Sequence, residues 1–165
     1  MNSVFAGLAL GGFLLALASH IAALWGVDVQ SQVSAVWLLH LGVFIVFIPM
    51  VFQLRSSDLK SDRFAVFRGL PGWAGAATAL LMAYVFLNFF LAFPGATDGS
   101  PAVQNGAFVL QQKGRLVREI SEAEYHARQA TILRGFSGHW LLFYFVSFTH
   151  FALRKKASAS EVADA

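Results

Sequence analysis

Charged side chains are absent from four long, mostly apolar runs of the chain: residues 1–27, 29–54, 69–97 and 135–153. Each run supplies about 20 residues of helix, enough to cross a hydrocarbon core about 30 Å thick. The pattern predicts an all-α membrane protein, a four-transmembrane-helix bundle with spans near 4–25, 35–53, 72–93 and 137–153. Residues 1–156 form one membrane domain in this reading, and the Ala- and Ser-rich tail 157–165 is expected to be disordered. Pro49 is expected to kink the second helix or to mark its end. In the first, Gly7-xxx-Gly11 offers a small-residue surface for close helix approach.

Between the last two spans the pattern changes. Residues 94–136 begin with a turn-rich stretch, Pro94 to Pro101. Phe108-Val109-Leu110 and Leu116-Val117 then flank a polar segment that turns at Gly114, which predicts a small extracytoplasmic hairpin. A lone two-stranded hairpin is marginal in water, so this one is expected to rest on the bundle or on a partner. Ser121, with Glu124 three residues later, is a capping-box pattern that opens a helix running toward the fourth span; Gly135 and Gly138 are expected to bend or break it.

Composition sharpens the class. The chain is 57% hydrophobic and 13% charged, with mean hydropathy +0.61, whereas a soluble domain carries about 25% charged residues. The net charge is +3, but the cations are split between membrane flanks and form no stripe that would track nucleic acid. Arg55, Lys60, Arg63 and Arg68 follow the second span, Arg154, Lys155 and Lys156 follow the fourth, and the 26–34 loop has no Lys or Arg. That asymmetry predicts cytoplasmic termini. Ala16-Leu17-Ala18 resembles a signal-cleavage site, but a cationic n-region is missing and the apolar run continues to Trp25. The chain has no cysteine, which excludes disulfides and thiolate chemistry.

Candidate chemistry lies in one layer. His20, His40, Asn88 and His139 come one from each span and fall within about 10 Å of the same membrane surface in this topology. Imidazoles ligate metals and haem iron and carry protons near neutral pH. They also serve simply as interhelical hydrogen-bonding groups. The related phrases Arg68-Gly69-Leu70-Pro71-Gly72-Trp73 and Arg134-Gly135-Phe136-Ser137-Gly138-His139-Trp140 place Arg68, Trp73, Arg134 and Trp140 as interface anchors. His126, one turn after Glu122, offers two ligands for a divalent cation or an ordinary solvated helix face.

His150 lies eleven residues after His139, close to three helical turns, on the same face. In length and span count the chain resembles the bacterial cytochrome b561 family, whose members hold two bis-histidine haems. The half containing His150 offers no second histidine, so the resemblance supports at most one haem b, in the outer layer. The phrases Phe67 to Trp73, Tyr84 to Phe90 and Leu133 to Trp140 are similar to ones in an uncharacterised group of small four-span bacterial membrane proteins. That resemblance implies a bacterial inner membrane and draws Arg134, His139 and Asn88 together.

Phosphate loops, dinucleotide fingerprints and nucleophile elbows are absent, and the spans contain no charged residue to serve a pump. The expected function is association in the lipid bilayer with another membrane protein or a second copy, through exposed Phe108, Val109 and Leu110. Haem or metal redox chemistry in the histidine layer is the alternative. A small enzyme acting on a lipid or quinone, with His139 as acid or base, is a third reading.

Overall fold

The four apolar runs do not fold as four equivalent spans. The computed structural model describes residues 2–55, 67, 69–92 and 98–154. Helix α1 is Asn2–Leu24; a short helix α2, Val29–Gln32, and a 3-10 turn, Ser34–Trp37, lead into α3, Leu38–Arg55; α4 is Gly72–Ala92. These three long helices have the length and apolar composition to cross a membrane. The fourth run belongs to α5, a single helix from Glu122 to Leu153. At 1.5 Å per residue its 32 residues extend about 48 Å, well beyond a hydrocarbon core. The plain four-helix bundle is therefore corrected: three apolar helices pack around a longer C-terminal helix, which also carries a sheet.

The polarity of each helix follows from its surroundings. Leu8, Leu14 and Leu15 of α1, Leu41, Phe44 and Ile45 of α3, and Leu80, Phe86 and Phe90 of α4 are exposed on the outside of the assembly. Against α5, α1 and α4 turn smaller or more polar residues, and α3 turns Val43, Val46, Met50 and Leu54 inward. On α1 the buried stripe is Ala9, Gly12, Ala16, His20 and Ala23. Helix α5 buries Ser137, Gly138, Ser147 and Thr149 among its apolar side chains. Surrounded by protein, it does not need the apolar surface that its neighbours present.

Close approach is set by Gly12 and not by the Gly7-xxx-Gly11 face, because Gly7 and Gly11 have open space where a side chain would go. A Cβ on Gly12 would overlap the ring of Tyr144, and one on Gly42 would overlap its hydroxyl. The phenol is thus wedged between α1 and α3, where it donates to the Leu39 carbonyl at 2.8 Å. Pro49 lies inside α3, which continues to Arg55.

Between α4 and α5 the chain forms a sheet rather than a hairpin. Strands β1 (Ser100–Gln104), β2 (Ala107–Gln112) and β3 (Arg115–Glu119) run antiparallel in the order β1-β2-β3. Both turns have two residues at positive φ, Asn105-Gly106 (52° and 83°) and Lys113-Gly114 (51° and 77°), the twist that joins tight hairpins. Val109 and Leu110, expected to be exposed, are buried at 3% and 0%, and Phe108 stacks against Tyr125 of α5 at 4.9 Å. Each edge strand is interrupted once. Pro101 removes a donor from β1, and Val117 is the extra residue of a bulge in β3. Ser121 caps α5 by accepting from the Glu124 amide, and the helix passes through Gly135 and Gly138 unbroken.

Candidate functional site

The expected polar layer divides into one connected network and two separate contacts. At the sheet-proximal end of the helices, His20 Nδ1 lies 2.8 Å from Ser137 Oγ and His20 Nε2 lies 2.5 Å from the Tyr84 hydroxyl. Ser137 donates to the Arg134 carbonyl at 3.3 Å. In the tautomer that keeps this donation, the serine oxygen accepts from Nδ1–H and Nε2 accepts from Tyr84 O–H. One neutral tautomer of His20 thus satisfies the whole chain. Asn88 closes it, donating to the same Arg134 carbonyl at 3.0 Å and accepting from Arg134 Nε at 2.9 Å.

Local sequence explains the convergence. His20 lies between Ala16 and Ala23 on the small-residue stripe of α1, so its imidazole reaches α5 without a bulky neighbour in the way. Ser137 and Gly138 make α5 narrow at this level. A Cβ on Gly138 would come 2.8 Å from Asn88 Nδ2 and 3.8 Å from His20. Tyr84 and Asn88 are one turn apart on α4 and meet α5 on the same face. His20, Asn88 and Ser137 are 2%, 3% and 0% exposed, so the network is sealed in protein except at Tyr84 and Arg134.

Arg134 is half-buried. Its Nε is committed to Asn88, and no carboxylate among the described residues comes within ion-pair distance of its guanidinium. By contrast, Arg118 pairs with Glu124, and Arg128 pairs with Glu124 and Asp98. Residues 93–97, which follow α4 at this end, contain no acid.

Tyr84 also lines a groove of about 400 Å³ on the outside of the bundle. Phe13 of α1, Ala77, Leu80 and Leu81 of α4, and Phe145 of α5 complete it. It runs along α4 away from the sheet and has the polar network at its head.

His40 accepts from Trp140 Nε1 at 2.9 Å and lies edge-on to Phe136 and Phe44. His139 sits 3.0 Å from the Gly135 carbonyl, edge-on to Phe89 of α4. His139 and Trp140 point about 100° apart around α5, so the two histidines are drawn to different neighbours. With both ring nitrogens of His20 occupied as well, the layer does not present the paired axial imidazoles that haem b needs. Among the described residues no cluster of three metal-ligating side chains forms. Of the expected interface anchors, Trp73 is exposed, Trp140 is buried at 1% and Arg134 belongs to the network; Arg68 lies outside the described residues.

His126 stands on a partly exposed face of α5 and reaches back to the bundle. Its Nδ1 is 2.7 Å from Asp28, whose side chain is buried beneath it, and Glu122 lies 3.7 Å from Nε2. The hydrogen bond to Asp28, followed by the charges of Asp28 and Glu122, holds the His126 pKa above its ordinary value. At the opposite end of the bundle His150 lies 3.2 Å from Gln53 Oε1. The sequence pointed to His20 and Asn88 but missed Tyr84 and Ser137. Their spacing to Asn88 and His139 held no pattern that joins residues of different helices.

Comparison with known proteins adds no relative: no family model, curated protein or solved structure matches the chain.

Proposed function

We propose that this protein is a membrane-embedded binding protein for a lipid-soluble molecule with a hydrogen-bonding polar end. The observation that carries the reading is Tyr84, which belongs to both structures: its ring lines the apolar groove and its hydroxyl bonds the buried His20. A molecule lying along α4 has its tail against Phe13, Ala77, Leu80 and Phe145 and its polar end at the only groove-facing part of the network. Because the Tyr84 proton is committed to His20, the phenolic oxygen offers lone pairs to the groove and suits a ligand hydroxyl. Such a pocket, mostly apolar with a few convergent polar groups, is the usual form of a small-molecule site.

Association through the sheet has less support. Of the residues expected to make that contact, Val109 and Leu110 are buried and Phe108 packs against Tyr125. A catalytic role for His139 has less support still, because its ring lies against Gly135 and Phe89, away from the groove.

The test is mass spectrometry of lipid-soluble molecules retained by protein purified in mild detergent. The wild type is expected to keep a stoichiometric amphiphile, and Ala77→Trp, which fills the groove from α4, is expected to lose it while remaining folded. Equal retention by the two proteins would refute the assignment.

A further inference from the structure

Resting on that groove reading, we infer that the ligand is a phosphate-headed lipid, recognised by the guanidinium of Arg134. Arg134 carries a charge that no acid among the described residues compensates. A half-buried arginine without an acidic partner is costly unless an anion arrives from elsewhere. The Nε–Asn88 Oδ1 bond, reciprocated by Asn88 Nδ2 on the Arg134 carbonyl, fixes the orientation of the guanidinium. Its remaining Nη edge carries parallel N–H groups matched to two oxygens of a phosphate. An arginine held in this way by a buried asparagine is prepared for one planar, bidentate contact.

Position completes the case. Asn88 stands one helical turn, about 6 Å, above Tyr84 on α4. The groove continues from Tyr84 down the same helix through Leu81, Leu80 and Ala77. Held by Asn88, the Arg134 guanidinium thus belongs to the network at the head of the groove, one turn beyond the Tyr84 hydroxyl and the apolar trough. A lipid presents its parts in that order: phosphate, glycerol hydroxyl, acyl chain. A free phosphate would meet the first of these alone, and a neutral lipid only the other two.

The experiment compares lysophosphatidic acid with the monoacylglycerol of the same chain, which differs only in the phosphate, by native mass spectrometry of the full chain in mild detergent. The wild type is expected to prefer the phosphorylated lipid by about tenfold, as suits a charge-assisted pair. Arg134→Gln is expected to bind the two alike. Arg134→Lys, which keeps the charge and removes the fork, is expected to fall between them and guards against a folding defect in the glutamine variant.

Inorganic phosphate should not displace the lysolipid; if it does, the lipid assignment is overturned. A wild type without preference, whose retention Ala77→Trp still abolishes, would overturn the phosphate inference and leave the groove reading standing. Retention insensitive to both Arg134 and Ala77 substitutions would overturn both.

Discussion

Gly11 and Gly12 are neighbours in α1, yet alanine at each is predicted to change stability in opposite directions. A Cβ at position 12 would overlap three ring atoms of Tyr144, whereas one at position 11 meets nothing within 4 Å. The ring has no easy retreat, since its hydroxyl is pressed toward Gly42 and tethered to the Leu39 carbonyl. Gly12→Ala is therefore an overpacking change, costing about 1–3 kcal/mol. Gly11→Ala only reduces the freedom of the unfolded chain and stabilises by up to about 1 kcal/mol. Unfolding in mixed micelles with increasing dodecyl sulfate, followed by tryptophan fluorescence, measures both.

The cycle with Tyr144→Ala adds the decisive arm. With the ring gone, Gly12→Ala should cost almost nothing, which gives a coupling energy of about 1–3 kcal/mol between residues 12 and 144. Gly12→Ala within about 0.5 kcal/mol of Gly11→Ala, or a cycle that closes additively, would refute the packing of α1 on α5.

Two further outcomes follow from the sheet end. The raised pKa of His126 means that its contact with Asp28 stabilises the fold fully below the ordinary imidazole pKa of about 6.5 and fades as pH rises through the higher folded value. Thermal unfolding of the wild type and His126→Asn should therefore differ most in acid and converge in base; a gap independent of pH would contradict an ionic contact. Leu110→Ala, at a fully buried position of β2, should cost about 2–5 kcal/mol and speed amide exchange in β2. Leu116→Ala, on exposed β3, should stay within about 0.5 kcal/mol, and equal effects would contradict the observed face of the sheet.

The sequence disclosed features written into local chemistry. The absence of charge marked the apolar helices, Ser121 and Glu124 marked the start of α5, and Gly114 marked a turn. It misjudged features that depend on what lies opposite. Strand β1 was read as turn because Ser100 and Pro101 open it, although Asn105-Gly106 just beyond is a strong hairpin signal. Leu110 is expected from sequence to be exposed for a partner, whereas the sheet and the N-terminal half of α5 bury it. A bend or break is expected from Gly135 and Gly138, but small residues there admit Asn88 and His20 without interrupting the helix.

The polar layer was legible as depth and not as rotation. Depth comes from counting residues along a helix, and it placed His20, Asn88, His40 and His139 at one level. Rotation decides which of them meet, and it follows from packing choices such as Gly12 against Tyr144. Those choices turned His20 toward Ser137 and Tyr84, and His40 toward Trp140.

The most direct test of the central claim is photolabelling of the reconstituted protein with a lipid that carries a diazirine in its acyl chain, followed by peptide mapping. The groove predicts label concentrated on α4 at residues 77–84 and on Phe13 and Phe145, and its removal by Ala77→Trp. Label spread equally over other exposed apolar positions, such as Leu41, Ile45 and Ile48 of α3, would contradict it.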